Sequence, residues 1–212
     1  MGIISIVHRA IRYPYNYIRR RGSSNIKQLC WDREYRLGMW DRIDDTAGDC
    51  IYPYLEKYVA NGSILDLGCG PGNTANELAA STYQSYLGID ISDVALNKAR
   101  QRTQQSGRTN KNTFVNSDFV SYVPPQQFDV ILLRESIYHV ALGQIRAMLD
   151  RYARFLTDRG VFIVRLVTGN KLTSKARVNI IESEFDVVEK AEQGADDPTV
   201  VVFRPKPAAL QH

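Results

Sequence analysis

An apolar run at residues 64–67 carries Asp66 and stops at three glycines spaced two apart, Gly68, Gly70 and Gly72. The backbone must turn tightly there and let a ligand approach closely, and a Cβ would obstruct one or the other. Eighteen residues beyond Gly72, a second apolar run at 86–91 reaches Asp90. An ionised carboxylate at about that distance has two acceptor oxygens for the two vicinal hydroxyls of a ribose. These residues point to a nucleotide-like ligand at the end of a buried strand. A nicotinamide or flavin fingerprint, G-x-G-x-x-G/A, would need a small residue at position 73, which is Asn73.

Two more positions continue the series. A run at 113–115 leads to Asp118 and Phe119, and the nearly unbroken apolar run 128–133 leads to Arg134. The segment from Asp66 to Gly72 resembles the acidic-x-G-x-G-x-G signature of class I S-adenosylmethionine (SAM)-dependent methyltransferases, and the resemblance covers roughly residues 50–205. It implies that Asp66, Gly68, Gly70 and Gly72 bind SAM, that Asp90 and Ile91 hold its ribose, and that Arg134 lies on the cofactor side. It also implies that Asp118 accepts the adenine amino hydrogen while Phe119 packs on the ring, and that the spent cofactor is S-adenosylhomocysteine (SAH). In that family the residues after the fourth strand, here 134–140, face the methyl group.

Methyl transfer of this kind needs the two substrates aligned and water excluded. A base is required only for an acceptor with a proton of high pKa. His139 and Tyr138 are the candidates, His139 because an unperturbed imidazole titrates near ~6.5. Arg165 is an obligate charge inside the apolar run 161–167. Either it binds an acceptor carboxylate or phosphate, or it pairs internally with Glu135 or reaches the surface. Residues 26–45 mix aromatic and charged side chains, and Tyr35 and Trp40, with Trp31, are expected to cover the cofactor and line the acceptor site. The turn 134–137 has no proline, which sets aside the N/D-P-P-Y type of amino-methylating nucleic-acid enzyme. None of the three cysteines follows a proline, as a cytosine C5 nucleophile would. No aspartate lies between Asp129 and Asp150, which sets aside the metal-dependent catechol type, and no metal ligand set is expected.

These residues must be positioned by alternating strands and helices. Ile51, Leu55, Tyr58 and Val59 recur with helical spacing up to the stop at Asn61-Gly62. A helix is expected over 73–80, another from the cap Ser92 to the Ser106-Gly107 break, and a third from Leu142 to Leu156, ended by residues 158–160. Strand five is expected at 161–167, a helix at 170–183, and a hairpin of 185–188 with 199–203 around residues 194–198. The resulting expectation is an α/β, Rossmann-like methyltransferase fold: a seven-stranded, mostly parallel sheet with a C-terminal antiparallel hairpin and helices on both faces.

At 212 residues the chain suits one α/β domain, at 50–205, with an N-terminal extension at 1–49 and a tail at 206–212. Residues 1–21 hold five arginines and no acid, while the remainder has 22 basic against 23 acidic residues. The body is therefore no polyanion binder, and nucleic acid is not expected as a partner. Residues 3–18 have near-helical apolar spacing broken by Pro14, so they read as a basic amphipathic helix for membrane-surface or protein docking, or as a helix packed on its own domain; 19–25 reads as a linker. Three cysteines without C-x-x-C spacing suggest a reducing compartment, hence a cytoplasmic location. The favoured function is methyl transfer from SAM to an oxygen or nitrogen of a small-molecule acceptor, an anionic one where Arg165 takes the binding role. The alternatives are a protein or RNA methyltransferase docked through the basic N-terminus, and a non-catalytic SAM-binding protein.

Overall fold

The computed structural model of the chain describes residues 15, 22–41, 46, 48–167, 171–192 and 198–206. The basic segment 3–21, apart from Tyr15, lies outside the described residues, as do the hairpin turn 193–197 and the tail beyond Lys206. Seven strands form one sheet in the order β3-β2-β1-β4-β5-β7-β6. They are β1 (Ser63–Leu67), β2 (Ser85–Asp90), β3 (Asn112–Asn116), β4 (Phe128–Arg134), β5 (Leu156–Leu166), β6 (Phe185–Glu192) and β7 (Thr199–Pro205). The first five run parallel, and β7 pairs antiparallel with both β5 and β6. The fold is the expected one.

The apolar runs are continuous because both faces of the sheet are covered. From β4, Val130 and Leu132 pack under α2 (Tyr52–Val59) and α4 (Asp93–Gln105), with Leu55 and Leu96 fully buried beside them. Ile131 and Leu133 face the other way, under α5 (Leu142–Ala153) and α6 (Lys171–Glu184), against Ile145, Leu149 and Ile181. Burying each such side chain contributes roughly 1.5–3 kcal/mol. The helix starts follow local chemistry. The Ser92 hydroxyl accepts the Ala95 N–H at 3.2 Å, a cap worth about 1 kcal/mol, and α2 carries proline in its first turn.

Several boundaries differ from the sequence reading; β6, expected at 185–188, runs on to Glu192. The helix after the glycine turn, α3 (Asn73–Glu77), stops early because Leu78 is extended, with ψ 139°. Helix α5 ends at Ala153, and Leu156 opens β5, so residues 158–160 lie inside that strand rather than between elements. The β4–β5 register passes from Phe128↔Leu156 to Val130↔Val161, so extra residues bulge from β5. Gly160 fits there because a Cβ on it would come within 2.9 Å of the Phe128 carbonyl oxygen. Ser24 and Asn25, expected in a linker, form the first turn of α1 (Ser24–Arg36).

Helix α1 rides on the start of α4 through polar contacts. Asp32, buried, accepts hydrogen bonds from the Ser92 hydroxyl at 2.7 Å and the Val94 N–H at 3.2 Å. Gln28 donates to Asp93 at 2.9 Å, and Lys98 pairs with Asp41 at 2.7 Å just beyond the helix. This arrangement holds the aromatic segment across the carboxyl ends of the central strands, where open α/β sheets bind ligands.

Candidate active site

The three glycines of the turn are left-handed, with φ of 83° at Gly68, 54° at Gly70 and 75° at Gly72. A Cβ on Gly68 would stand 2.5 Å from Cβ of Ser136, and one on Gly72 would stand 2.8 Å from Cβ of Ala99. The turn is thus pressed between α4 and the loop after β4. The Gly68 and Cys69 N–H groups both donate to the Ile89 carbonyl, at 2.7 and 3.0 Å. Asp90 locks the arrangement by accepting the Gly70 N–H on Oδ2 and the Ser92 N–H on Oδ1, each at 2.9 Å.

Above this turn lies a cavity of about 580 Å³, roofed by α1 and lined by Asp66, Asp90, Ile91, Asp118, Phe119 and Arg134 among others. Its volume falls within the roughly 300–1,000 Å³ of small-molecule sites. Asp66 is buried and accepts the Tyr86 hydroxyl on Oδ2 at 2.6 Å, while Oδ1 has no hydrogen-bond partner among the described residues. Burial pushes its pKa up to about 6, against the Tyr86 hydrogen bond and the charge of Arg134, which lower it. Burial also raises Asp90, opposed by the N–H groups of Ser92, Gly70 and Ile91. Asp118 accepts from Lys27 at 2.8 Å and Ser24 at 3.3 Å on Oδ2, and from the Val120 N–H at 3.0 Å on Oδ1.

The two arginines stand side by side, since Arg134 of β4 and Arg165 of β5 are register partners. Between them sits Asp49. Its Oδ2 is 2.8 Å from Arg134 Nη2 and its Oδ1 is 2.9 Å from Arg165 Nε, the latter an ion pair whose N–H is not aligned for a hydrogen bond. Burial opposes the Asp49 charge, but Arg134, the Ile51 N–H and Arg165 together hold its pKa below the ordinary carboxylate value. Arg165 also donates to Glu135 at 2.6 Å, and Arg134 donates to Tyr52 at 3.2 Å and Thr74 at 3.3 Å. Of the two readings of Arg165, the geometry realises the internal pair with Glu135. The acceptor-anion argument loses its support, because both guanidiniums already face carboxylates.

Glu135 follows β4 with φ 56°, a conformation disfavoured for a residue with a Cβ. That conformation lets its N–H donate to the Arg165 carbonyl at 3.1 Å while its carboxylate reaches Arg165 and the Val167 N–H. A short 3₁₀ turn, Ile137–His139, comes next. The Tyr138 hydroxyl donates to the Val167 carbonyl at 2.7 Å, and burial pushes its pKa up to about 12. The His139 ring meets Trp31 edge-on with centroids 4.9 Å apart. Trp31 stands 5.7 Å from Trp40, whose Nε1 donates to the buried Glu34 at 3.0 Å, and the Tyr35 hydroxyl lies 3.0 Å from where a Gly70 Cβ would be. A second cavity, of about 610 Å³, shares Lys27, Val120, Tyr138 and His139 with the first. Arg177 fixes this loop by donating to the carbonyls of Ile137, Tyr138 and Val140.

Every site residue expected from the sequence therefore lines one cavity, apart from Gly72, which shapes the turn beneath it. Glu135 was weighed as the internal partner of Arg165 and Ser136 was covered within the run 134–140, whereas Asp49 and Lys27 were missed. Two arginines in apolar runs demand acids nearby, and that demand was the signal for Asp49; Lys27 carries no comparable mark.

Residues 64–160 match the family model described as a methyltransferase domain. Over these residues the chain carries a methyltransferase domain. The methyltransferase domain is similar to the protein-lysine N-methyltransferase EFM4 of Saccharomyces cerevisiae, 29% identical over 168 residues, 73% of this chain and 69% of that protein. It is also similar to trans-aconitate 2-methyltransferase of Afipia carboxidovorans, 31% identical over 139 residues, 64% of this chain and 50% of that protein. The chain spans half or less of several curated relatives it matches, 43% of one and 26% of another. Among solved structures, the N-methyltransferase NodS of Bradyrhizobium japonicum in complex with SAH superposes with a TM-score of 0.59 at 20% identity, covering 74% of this chain and 86% of that one. That likeness shows that the methyltransferase domain has the fold of a protein crystallised with SAH. Among the described residues, no helix is long and apolar enough to cross a membrane.

Proposed function

We propose that this chain transfers a methyl group from SAM to an oxygen or nitrogen of a small-molecule acceptor. One observation carries the reading: the glycine turn, the carboxylates Asp66, Asp90 and Asp118, and an aromatic cover converge on a single cavity. The residues present fit SAM. Asp66 Oδ1 and Ser136 Oγ are buried at the cavity wall without partners among the described residues, a state that costs roughly 1–3 kcal/mol per group unless a ligand satisfies it. The ammonium of an amino-acid tail supplies donors for both.

When bound, SAM supplies a methyl carbon already activated by a sulfonium, so the chain needs no covalent nucleophile of its own. In this reading Asp66 binds the cofactor's ammonium, Asp90 beside Ile91 binds the ribose hydroxyls, and Asp118 with Phe119 holds the adenine. Gly68, Gly70 and Gly72 keep the backbone clear of the cofactor, and Arg134 supports that side through Thr74. Trp31, Tyr35 and Trp40 exclude water and orient the acceptor, which leaves proximity as the main source of rate. His139 takes the acceptor's proton. Tyr138 does not, because its hydroxyl is donated to Val167 and its pKa of about 12 leaves almost no phenolate at neutral pH.

Incubating the protein with labelled SAM and metabolite pools, and measuring SAH formation, tests the reading. His139→Ala should lower turnover by about 10²-fold or more with SAM affinity unchanged; wild-type turnover would discard His139 as the base. A second reading, methylation of a protein side chain, is favoured by the similarity to the protein-lysine enzyme over 73% of the chain. A non-catalytic SAM-binding role is removed by any enzyme-dependent SAH.

A further inference from the structure

Five carboxylates and three fixed cations line the main cavity among the described residues. Each cation is matched: Lys27 faces Asp118 at 2.8 Å, Arg134 faces Asp49 at 2.8 Å, and Arg165 faces Glu135 at 2.6 Å. Asp66 and Asp90 remain, and among the described residues they accept hydrogen bonds from a phenol and from backbone N–H groups rather than from cations. The cavity thus carries two negative charges beyond its own cations. SAM, with a sulfonium, an ammonium and a carboxylate, brings a net charge of +1. One negative charge is left for the acceptor to balance, because an uncompensated charge in a closed site is costly. The segment covering the strand ends contributes the aromatic rings of Trp31, Tyr35 and Trp40, and the loop after β4 adds Tyr138; the faces of such rings attract cations.

We infer that the acceptor is an amine, held as its ammonium by the aromatic wall and the excess negative charge of the cavity. This rests on the reading of the cavity as a SAM-dependent methyl-transfer site and deepens it, replacing the expectation of an anionic acceptor. The second cavity, which shares the His139 and Tyr138 wall, takes the body of the molecule. The ammonium first loses a proton to His139 or to water. The nitrogen lone pair then forms the N–C bond to the methyl carbon as the S–C bond breaks. The breaking pair stays on sulfur, which becomes the neutral thioether of SAH, and the methylated nitrogen carries the positive charge.

Trp31 and Trp40 are the two tryptophans of the chain, so intrinsic fluorescence reports on this wall directly. The test titrates the SAH-saturated protein at neutral pH with hexylamine, hexanol and hexanoate, which share a hydrocarbon tail and differ in charge. Hexylamine should change the emission saturably, with a half-saturation at least about tenfold below that of hexanol, a difference of about 1.4 kcal/mol, and hexanoate should bind more weakly still. Tighter binding of a lysine-containing peptide than of hexylamine would also support the amine class and assign it to a protein side chain. Equal binding of hexylamine and hexanol, no saturable response to hexylamine, or a preference for hexanoate overturns the inference. A separate SAH titration of the free protein distinguishes the two claims: failure to bind SAH sinks the methyl-donor reading itself, whereas normal SAH binding with an amine-indifferent pocket sinks only the acceptor class.

Discussion

Asp66 shows how one residue can trade stability for binding. Its pKa of about 6, against 3.8 for an ordinary aspartate, means that burial destabilises the ionised form. At about 1.4 kcal/mol per unit, the cost at neutral pH is on the order of 3 kcal/mol. The sign follows from proton counting. Between about pH 4 and 6 the folded state holds a proton that the unfolded chain has released, so this group lowers stability as pH rises through that window. Affinity for a cationic cofactor moves the other way and rises as Asp66 ionises. Asp66→Asn should therefore raise the melting temperature of the ligand-free protein at pH 7 by several degrees while weakening SAM binding roughly 10- to 100-fold. Thermal shift and calorimetry read both effects. A lower melting temperature with unchanged affinity would show Asp66 to be purely structural. Part of this site was legible as sequence because a carboxylate at a strand end is a local pattern. Asp49 was not, since its partners Arg134 and Arg165 lie more than eighty residues away and only the folded register places them together.

In the proposed reading helix α1 covers the acceptor side, and its docking rests on polar contacts. Its buried residues are Asp32, Glu34 and Tyr35, not an aliphatic stripe. Asp32→Ala removes the acceptor for the Ser92 hydroxyl and the Val94 N–H and should cost about 1–3 kcal/mol locally. Hydrogen exchange should then quicken across α1 while β1 and β4 stay protected, because the sheet's core does not depend on the helix. Uniform acceleration throughout the chain would show instead that α1 is part of the core. The same contrast explains what could be read in advance. The central strands and α2, α4 and α5 announce themselves by burial on regular periods, whereas the placement of α1 depends on pairs about sixty residues apart, such as Asp32 with Ser92. The misplaced start of β5 has a related cause. Leu156 continues the apolar spacing of α5, and a pattern read along the chain does not reveal that Phe128 across the sheet claims it.

At the scale of the whole molecule, the sheet brings the ends of β1, β2 and β4 to one edge, and the aromatic segment before the domain closes over them. Function is divided accordingly. In the proposed reading the glycine turn and the strand-end carboxylates address the methyl donor, while α1 and the loop carrying Glu135, Tyr138 and His139 address the acceptor. Arg165, weighed from the sequence as an anion binder, serves with Arg134 as an internal tie, joining β4 and β5 to the segment at Asp49. The central claim is that this cavity binds SAM through Asp90, and isothermal titration with SAH tests it most directly. The wild-type protein should bind one equivalent. Asp90→Ala, and Asp90→Asn as the milder variant, should lose at least about 100-fold in affinity, as expected for removing charged hydrogen bonds to two hydroxyls, while an unchanged circular dichroism spectrum verifies the fold. Wild-type affinity in a folded Asp90→Ala protein, or no binding by the wild type, would contradict the account.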